Sequence, residues 1–222
     1  IVENNFALVP IALTDQWAKK LGGITLKDIK LATYQNGQKQ EAYKGKLLFT
    51  HFGISGPTVL NMSKAIGELL QYGDVMIALD LFPKFDHKEL KEQLQNLLIS
   101  ESNKKLKNIL GKFIPASLVS AVLKLAKVNG ETANHSVRRE DRIMLVTLMK
   151  AIPLYVRGLL GEDKAVVSSG GVSLKEVDFK TMQSRIVPHL YLIGDVLNID
   201  RPSGGYSLQL CWTTGYVAGS NV

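Results

Sequence analysis

The hydrophobic periodicity of the 222-residue chain changes twice, and this change constrains the fold more than any other feature. Residues 1–83 contain short runs in which apolar and polar side chains alternate, as in half-buried β-strands. Between residues 84 and 163 the apolar residues recur at helical spacing. Residues 164–222 return to short apolar runs separated by glycines. We therefore predict a mixed α+β fold with three parts: a β-rich, barrel-like domain (1–83), a small helical subdomain (84–163) and a final segment (164–222).

A tight β-hairpin is predicted at Asn36-Gly37, because this dipeptide readily adopts the positive φ angles of a two-residue turn. The flanking residues 29–34 and 40–49 alternate in part between apolar and polar side chains. Residues 74–81 (DVMIALDL) show the same alternation, and a proline at the start of residues 57–70 favours a helix there. The pattern indicates a small antiparallel sheet or barrel that carries one helix.

The middle of the chain predicts several helices. Asp86 is a suitable N-cap for residues 88–98, in which leucines recur at helical spacing. Residues 115–127 begin with a proline and end before Asn-Gly, as helices commonly do. Residues 139–151 precede Pro153, which we interpret as the residue that breaks this helix.

The final segment contains the pattern with the most chemical content. Residues 165–167 and 190–193 (LYLI) are predicted strands, and the second leads directly into Gly194-Asp195. In open α/β sheets ligands bind beyond the carboxyl ends of strands, where a carboxylate can accept hydrogen bonds from ribose or ribityl hydroxyls. Glycines 204 and 205 precede a predicted helix over 208–219, whose first amides would suit a phosphate or an electron-rich ring edge. A plain strand–turn–helix connection capped by Asp195 is the alternative, and spacing alone favours it.

The formal net charge of +7 raises the question of nucleic-acid binding. The lysines are spread over much of the chain, and the run at 104–107 lies in a helical pattern whose apolar residues face inward. Its lysines therefore fit a solvated helix face, and no aromatic residues interleave with them. We expect no nucleic-acid partner; an anionic cofactor would benefit from the same field.

The bulk sequence also limits location and metal content. No apolar stretch approaches the roughly 20 residues of a membrane helix, so we expect no membrane partner. The single cysteine, Cys211, excludes an internal disulfide and favours a reducing compartment, which predicts a cytoplasmic protein. The histidines show no metal-ligand spacing, so no metal site is predicted.

Several blocks of the sequence resemble the HI0933-like flavoproteins, also called the YhiN or BaiN family. Residues 187–219 are similar to the family's closing pattern of a strand, Gly-Asp, a later Asp, Gly-Gly-Tyr and a small-residue helix. Three further blocks occur in the family's order: FALVP at 6–10, LFTHFGISGP at 48–57, and the residues 169–184 with Gly-Gly-Val, Glu-Val and Thr-Met-Gln-Ser. One position departs from the family, because Ser207 stands where Asn is usual.

The resemblance implies an FAD-dependent oxidoreductase that acts on a small organic substrate, with NAD(P)H as a possible electron donor. It implies that residues 164–222 are the C-terminal part of a Rossmann-type FAD-binding domain, interrupted by the barrel and the helices. The family's Gly-x-Gly-x-x-Gly unit is missing here, and the chain has no initiator Met, so we interpret it as part of a longer protein. The implied cofactor-binding residues are Gly170, Gly171, Gly194, Asp195, Asp200, Gly205, Tyr206, Ser207, Leu208 and Gln209.

Two alternatives stay open. His51, with Ser55 near it, is the candidate catalytic group, as a proton donor that faces the substrate. The same Thr-His-x-Gly-x-Ser-Gly-Pro segment also fits a turn held by hydrogen bonds to the backbone. In place of an enzyme, the chain without the Gly-x-Gly-x-x-Gly unit could be a catalytically inactive fragment that acts as a folded binding or interaction domain.

Overall fold

The computed structural model describes the backbone of residues 1–222 and the side chains of all but five of them, namely Asn4, Asn5, Phe6, Glu162 and Ser168. The strands are β1 (Val2–Ala7), β2 (Ile11–Leu13), β3 (Thr25–Gln35), β4 (Gln38–Phe49), β5 (Gly53–Ser55), β6 (Val75–Asp80), β7 (Ile152–Leu159), β8 (Val167–Gly171), β9 (Val177–Asp178) and β10 (Gln183–Ser184). The α-helices are α1 (Gln16–Lys19), α2 (Pro57–Leu70), α3 (His87–Ser100), α4 (Leu106–Phe113), α5 (Ala116–Ala126), α6 (Arg139–Lys150) and α7 (Tyr206–Gly219).

Six antiparallel strands form a closed barrel in the order β2-β5-β4-β3-β6-β7. The predicted hairpin is confirmed: Gln35 pairs with Gln38, and Asn36 and Gly37 have φ angles of 51° and 75°. Two consecutive positive φ angles give the turn a twist that matches the twist of the flanking strands. The barrel half of the predicted mixed fold is thus present.

Four helices, α3 to α6, are inserted between the neighbouring strands β6 and β7. The predicted N-cap is confirmed, because the Asp86 carboxylate accepts a hydrogen bond from the Glu89 amide and the Glu89 carboxylate accepts one from the Asp86 amide. The helices share one hydrophobic core with the barrel, to which α3 contributes Leu90 and Leu94. The helical unit, α3 to α6, is therefore packed directly against the barrel.

The helical region is shorter than its pattern predicted. Residues 152–159 form β7, which closes the barrel, with Ile152 paired to Leu79 and Ile11 paired to Leu159. Pro153 does follow the end of α6, but Ile152 and Leu154 alternate with less buried neighbours and are fully buried. Burial against the barrel core makes this segment a strand. The limits 1–83, 84–163 and 164–222 otherwise stay a prediction.

The final segment has a small core of its own, made of Val177, Met182, Leu197 and Ala218. Its strand β8 pairs with β1, so the beginning of the chain and the beginning of the final segment meet in a two-stranded sheet. Two strand predictions were wrong here. Residues 190–193 make only an isolated bridge, at Tyr191, and residues 165–167 contribute only Val167 to β8. Residues 190–192 lie beside the two-residue strand β10 and Val166 donates a hydrogen bond to Leu8, but this pairing is too short to form a strand. Val166, Leu190 and Ile193 stay exposed.

Asp200 joins the final segment to the barrel. Its carboxylate accepts a hydrogen bond of 2.6 Å from the Ser169 hydroxyl on β8 and forms an ion pair with Lys64 on α2. These two partners, Lys64 first, hold the pKa of Asp200 below its ordinary value. Nearby, the Ser203 amide donates to the Asn61 side chain of α2 at 2.7 Å. The loop before α7 is thus fixed to the helix that covers the barrel.

None of the helices in the part of the chain that the structure describes combines the length and the apolar character needed to cross a membrane.

We predict that Gly53→Ala opens the barrel at β5. A Cβ atom at this position would lie 2.3 Å from the Ile11 carbonyl oxygen and 2.8 Å from the Leu13 amide nitrogen. The β2–β5 pairing must shift to admit it, which costs about 2 kcal/mol or more of unfolding free energy. Urea denaturation measures the loss. Gly158→Ala on β7 is the matched control, because nothing lies within 4 Å of its added Cβ; equal losses in the two variants would contradict the prediction.

We predict that Asp200→Asn destabilises the chain at neutral pH by about 0.5–1 kcal/mol, a range set by the exposure of both members of the ion pair. A carboxyl whose pKa is lowered on folding stabilises the folded state above its ordinary pKa, and that contribution is lost as the pH falls through the lowered pKa. The difference between variant and wild type should therefore vanish in acid. Urea denaturation from pH 7 to pH 2.5 (roughly the range in which carboxylates titrate) tests this, with Asp74→Asn as a control; a difference that persists at the acid end would refute it.

Candidate flavin site

The Gly194–Val196 turn lies directly against α7. The Gly194 amide donates a hydrogen bond of 2.9 Å to the Thr214 hydroxyl, which in turn donates to the Leu210 carbonyl oxygen at 2.7 Å. A Cβ atom on Gly194 would lie 2.8 Å from Cys211 Sγ, and its φ angle of 64° also disfavours a side chain. Glycine is required here for packing of the turn on the helix.

Asp195 projects from this turn, and its carboxylate forms an ion pair with Arg201. One guanidinium nitrogen of Arg201 lies 3.2 Å from Asp195 Oδ1. The Arg201 side chain is only 5% exposed, whereas that of Asp195 is 54% exposed. Arg201 contacts Oδ1 and the carboxylate is more than half exposed, so Asp195 can also accept a hydrogen bond from a ligand hydroxyl.

Burial of Arg201 leaves part of its guanidinium unsatisfied. Its Nε and Nη1 atoms are buried and have no hydrogen-bond partner among the described residues. The single ion pair with Asp195 is thus the main compensation for a buried cation, and this makes the orientation of Asp195 costly to change. Nothing in the sequence marked Arg201, because its role depends on burial and not on a motif.

The amino end of α7 is open. Gly205 precedes the helix with a φ of 91°, no side chain caps the helix, and a Cβ atom on Gly205 would meet nothing within 4 Å. The first amides of a helix, here those of Tyr206, Ser207 and Leu208, have no acceptor within the helix. Gln209 is different, since its amide donates to the Gly205 carbonyl oxygen and its side chain to the Thr213 hydroxyl. An anion or an electron-rich ring edge fits the open amides.

Helix α7 also exposes large apolar side chains. Trp212 is 66% and Tyr216 is 79% exposed, and Tyr206 and Leu208 are each more than half exposed. Only Thr214 and Ala218 of this helix are buried. Such a face has room for a planar ligand or for further protein.

Gly170 and Gly171 lie on β8, beside the same turn. A Cβ atom on Gly171 would lie 2.3 Å from the Val196 carbonyl oxygen, and the Val172 amide donates to that oxygen at 2.8 Å. The space that Gly171 leaves is thus filled by protein. The structure brings together β8, the Gly194–Val196 turn and the middle of α7 at Cys211 and Thr214, and places Asp200 at the junction of this segment with the barrel.

His51 and Ser55 lie apart from this cluster in their contacts, on the connection between β4 and β5. The Thr50 hydroxyl accepts a hydrogen bond from the Gly53 amide at 3.2 Å, as the turn alternative supposed. The His51 ring is exposed and packs edge-on against Phe52, with 4.9 Å between ring centroids. Across the described residues, no hydrogen bond or ion pair connects His51 or Ser55 with residues 194–209, and no group of three or more His, Cys, Asp or Glu side chains is placed to hold a metal ion.

Comparison with known proteins shows which family the chain belongs to. The curated relatives that match include a ribosomal RNA dihydrouridine synthase of Escherichia coli (27% identical over the whole chain), one of Haemophilus influenzae (30%, whole chain) and a 3-dehydro-bile acid delta(4,6)-reductase of Clostridium scindens (28% over 96% of the chain). The chain spans about half the length of these relatives, 53%, 52% and 52%. A family model described as "HI0933-like protein barrel and H2TH domain" matches residues 6–167. The chain belongs to the HI0933-like family.

Proposed function

We propose that this chain is the barrel, helical and closing flavin-binding part of an FAD-dependent reductase. The observation that carries the proposal is the uncapped amino end of the helix against which the Gly194–Val196 turn packs, together with the largely exposed carboxylate of Asp195 on that turn. Family membership supports FAD as that ligand. Asp195 would accept a hydrogen bond from a ribityl hydroxyl, and the α7 amides would lie beside the ring.

The donors present fit this cofactor. FAD, when bound, supplies hydride transfer. The amides of Tyr206, Ser207 and Leu208, at the positive end of the helix dipole, would stabilise negative charge at the ring edge. Ser207 keeps a hydroxyl where Asn is usual in the family, so it lacks the paired donor and acceptor of an amide. Gly205 gives the ring room, because no protein atom lies within 4 Å of its Cβ position.

We propose that the substrate contains a carbon–carbon double bond conjugated with a carbonyl group. Support comes from the relatives, whose printed activities are chemically related. Dihydrouridine arises by saturation of the uracil double bond next to a carbonyl, and the name 3-dehydro-delta(4,6) describes double bonds conjugated with a ketone. A small organic enone is the first candidate.

A uracil base within RNA is the second candidate substrate. Two of the three relatives carry that printed activity and match the whole of this chain. The net charge of +7 agrees with a polyanionic substrate. This candidate departs from the expectation of no nucleic-acid partner, which none of the comparisons tests.

We propose His51 as the proton donor to the carbon next to the carbonyl, with Ser55 as its neighbour in the same segment. An exposed imidazole can deliver a proton near neutral pH. Its exposure on the β4–β5 turn supports access to a bound substrate.

An inactive binding domain is the competing function, and the visible spectrum separates the two. Two preparations should be purified: the chain alone, and the whole protein expressed from the complete reading frame that encodes the chain. Bands near roughly 370 and 450 nm indicate oxidised flavin. If both preparations stay colourless with added FAD, the flavin proposal fails. A flavin-loaded preparation is then screened with NADH and NADPH as donors, and with a conjugated dienone and an RNA transcript as acceptors.

We predict that Asp195→Asn weakens FAD binding about tenfold or more, because the variant loses a charged acceptor for the ribityl hydroxyl. The measurement is the dissociation constant from flavin fluorescence quenching. Asp28→Asn is the matched control, since Asp28 lies on β3 with a positive φ that Asn also tolerates. Equal affinities for wild type and Asp195→Asn would remove Asp195 from the site.

We predict that His51→Ala lowers the turnover number at least about 100-fold without changing flavin content, as expected for loss of a general acid. Stopped-flow reduction of the acceptor by the reduced enzyme measures the affected step. His87→Ala, at the exposed start of α3, is the control. Loss of bound flavin together with activity would point to a structural role instead.

A further inference from the structure

The positive charge of this chain is concentrated in its helical unit. Residues 84–151 contain 13 Lys and Arg but only seven Asp and Glu. The preceding residues 1–83 contain eight and seven, and the following residues 152–222 contain six of each. Residues 84–151 thus account for six of the seven net positive charges, although lysines also occur along the rest of the chain. A field localised in this way points to a binding surface for a polyanion.

A groove of about 720 Å³ runs between α4 and α5 within this unit. Lys107 and Lys112 stand on its rim, and Asn108, Ser120 and Asn129 add hydrogen-bonding groups. Its larger apolar residues, Val119 and Leu123, are buried, whereas Ala116 is exposed. The groove therefore offers cations and polar donors and no large apolar side chain that could enter a lipid bilayer.

Two carboxylates hold four lysines in place around the groove. Glu101 forms ion pairs with Lys104 and Lys112, and Glu131 forms them with Lys105 and Lys107. The lysine side chains are 46–58% exposed. The hydrogen bonds from Lys105 and Lys107 lower the pKa of Glu131 to about 2, so this carboxylate stays ionised. The cluster keeps a surplus of two positive charges, with its cations already ordered.

The rim is also fixed by its backbone. The amides of Leu106 and Lys107 at the start of α4 donate to the carbonyl oxygens of Thr132 and Gly130. A Cβ atom on Gly130 would lie 2.6 Å from a Leu123 methyl carbon, so the loop sits closely on α5. Lysines on a rigid rim lose less conformational freedom when they bind a phosphate than lysines on a mobile loop.

We propose that the groove between α4 and α5 binds the phosphodiester backbone of an RNA strand and so holds the RNA whose base reaches the flavin site. The proposal rests on the RNA candidate of the proposed function. Lys107 and Lys112 contact the phosphates, and the polar groups between them contact phosphate or sugar oxygens. Base identity is read elsewhere, because contacts of this type carry no sequence information.

The test is binding of a fluorescein-labelled single-stranded RNA to the full chain, measured by anisotropy at several KCl concentrations. We expect the double variant Lys107→Gln/Lys112→Gln to bind about tenfold more weakly at 0.15 M salt (roughly the physiological ionic strength). The slope of log K against log salt should become shallower by about 1.4, the value for two lost phosphate contacts on a single strand. The matched control is Lys39→Gln/Lys46→Gln, which removes the same charge from two exposed positions on β4.

Each outcome decides the proposal. Equal weakening of RNA binding in both double variants would show that binding depends on the overall positive charge, and would overturn the assignment to the groove. A wild-type chain that does not bind RNA would also overturn it. Binding to phosphatidylserine vesicles that is lost in the groove variant, without RNA binding, would assign the surface to membranes and also overturn it. Lys107→Arg/Lys112→Arg should retain binding, which excludes misfolding as the cause. If RNA binding follows these expectations but the flavin-loaded protein does not reduce uracil, the groove stands as an RNA-binding surface and the RNA candidate of the proposed function fails.

Discussion

The pairing of the three-residue strand β2 with both β5 and β7 closes the barrel, and the other units depend on this closure. Ile11 lies opposite Ile54 on one side and Leu159 on the other, and its side chain is fully buried. These partners are distant in sequence, so closure carries a large loop entropy that the buried core must offset. Once β7 is in place beside β6, the four inserted helices begin and end at neighbouring points of one sheet.

The same closure positions the candidate flavin site. Helix α2 follows β5 directly and covers the barrel, and it presents Lys64 and Asn61 to the loop before α7. Asp200 connects that loop to β8 through Ser169. Because β8 in turn approaches the Gly194–Val196 turn through Gly171, and this turn packs on α7, the helix that carries the proposed ligand-binding amides is positioned by a chain of contacts that starts at the barrel.

Sequence patterns predicted those parts of the fold whose cause is local. The Asn36-Gly37 turn and the Asp86 cap depend on neighbouring residues, and both are present. Strand β7 was missed because its state depends on pairing with Met76–Leu79 and with β2, and Pro153 suggested only the end of a helix. The prediction at residues 190–193 failed in the opposite way, since the strand beside them, β10, has only two residues and the pairing does not extend. Arg201 and Thr214 could not be predicted as site residues, because their roles arise from burial and from contact with distant residues.

The net charge differs between the helical unit and the final segment, and this difference bears on the two roles proposed for them. The final segment contains five basic and four acidic residues, so its net charge of +1 favours no polyanion, and Asp195 and Arg201 neutralise each other at the candidate cofactor site. The helical unit contains the surplus but none of the residues assigned to the flavin. Under the proposed function, substrate capture and hydride transfer would lie on different parts of the chain and could vary independently, with the barrel fixing their relative positions. On this argument, family members with related chemistry but different substrates would share the α7 site and differ in the charge of the α4–α5 groove.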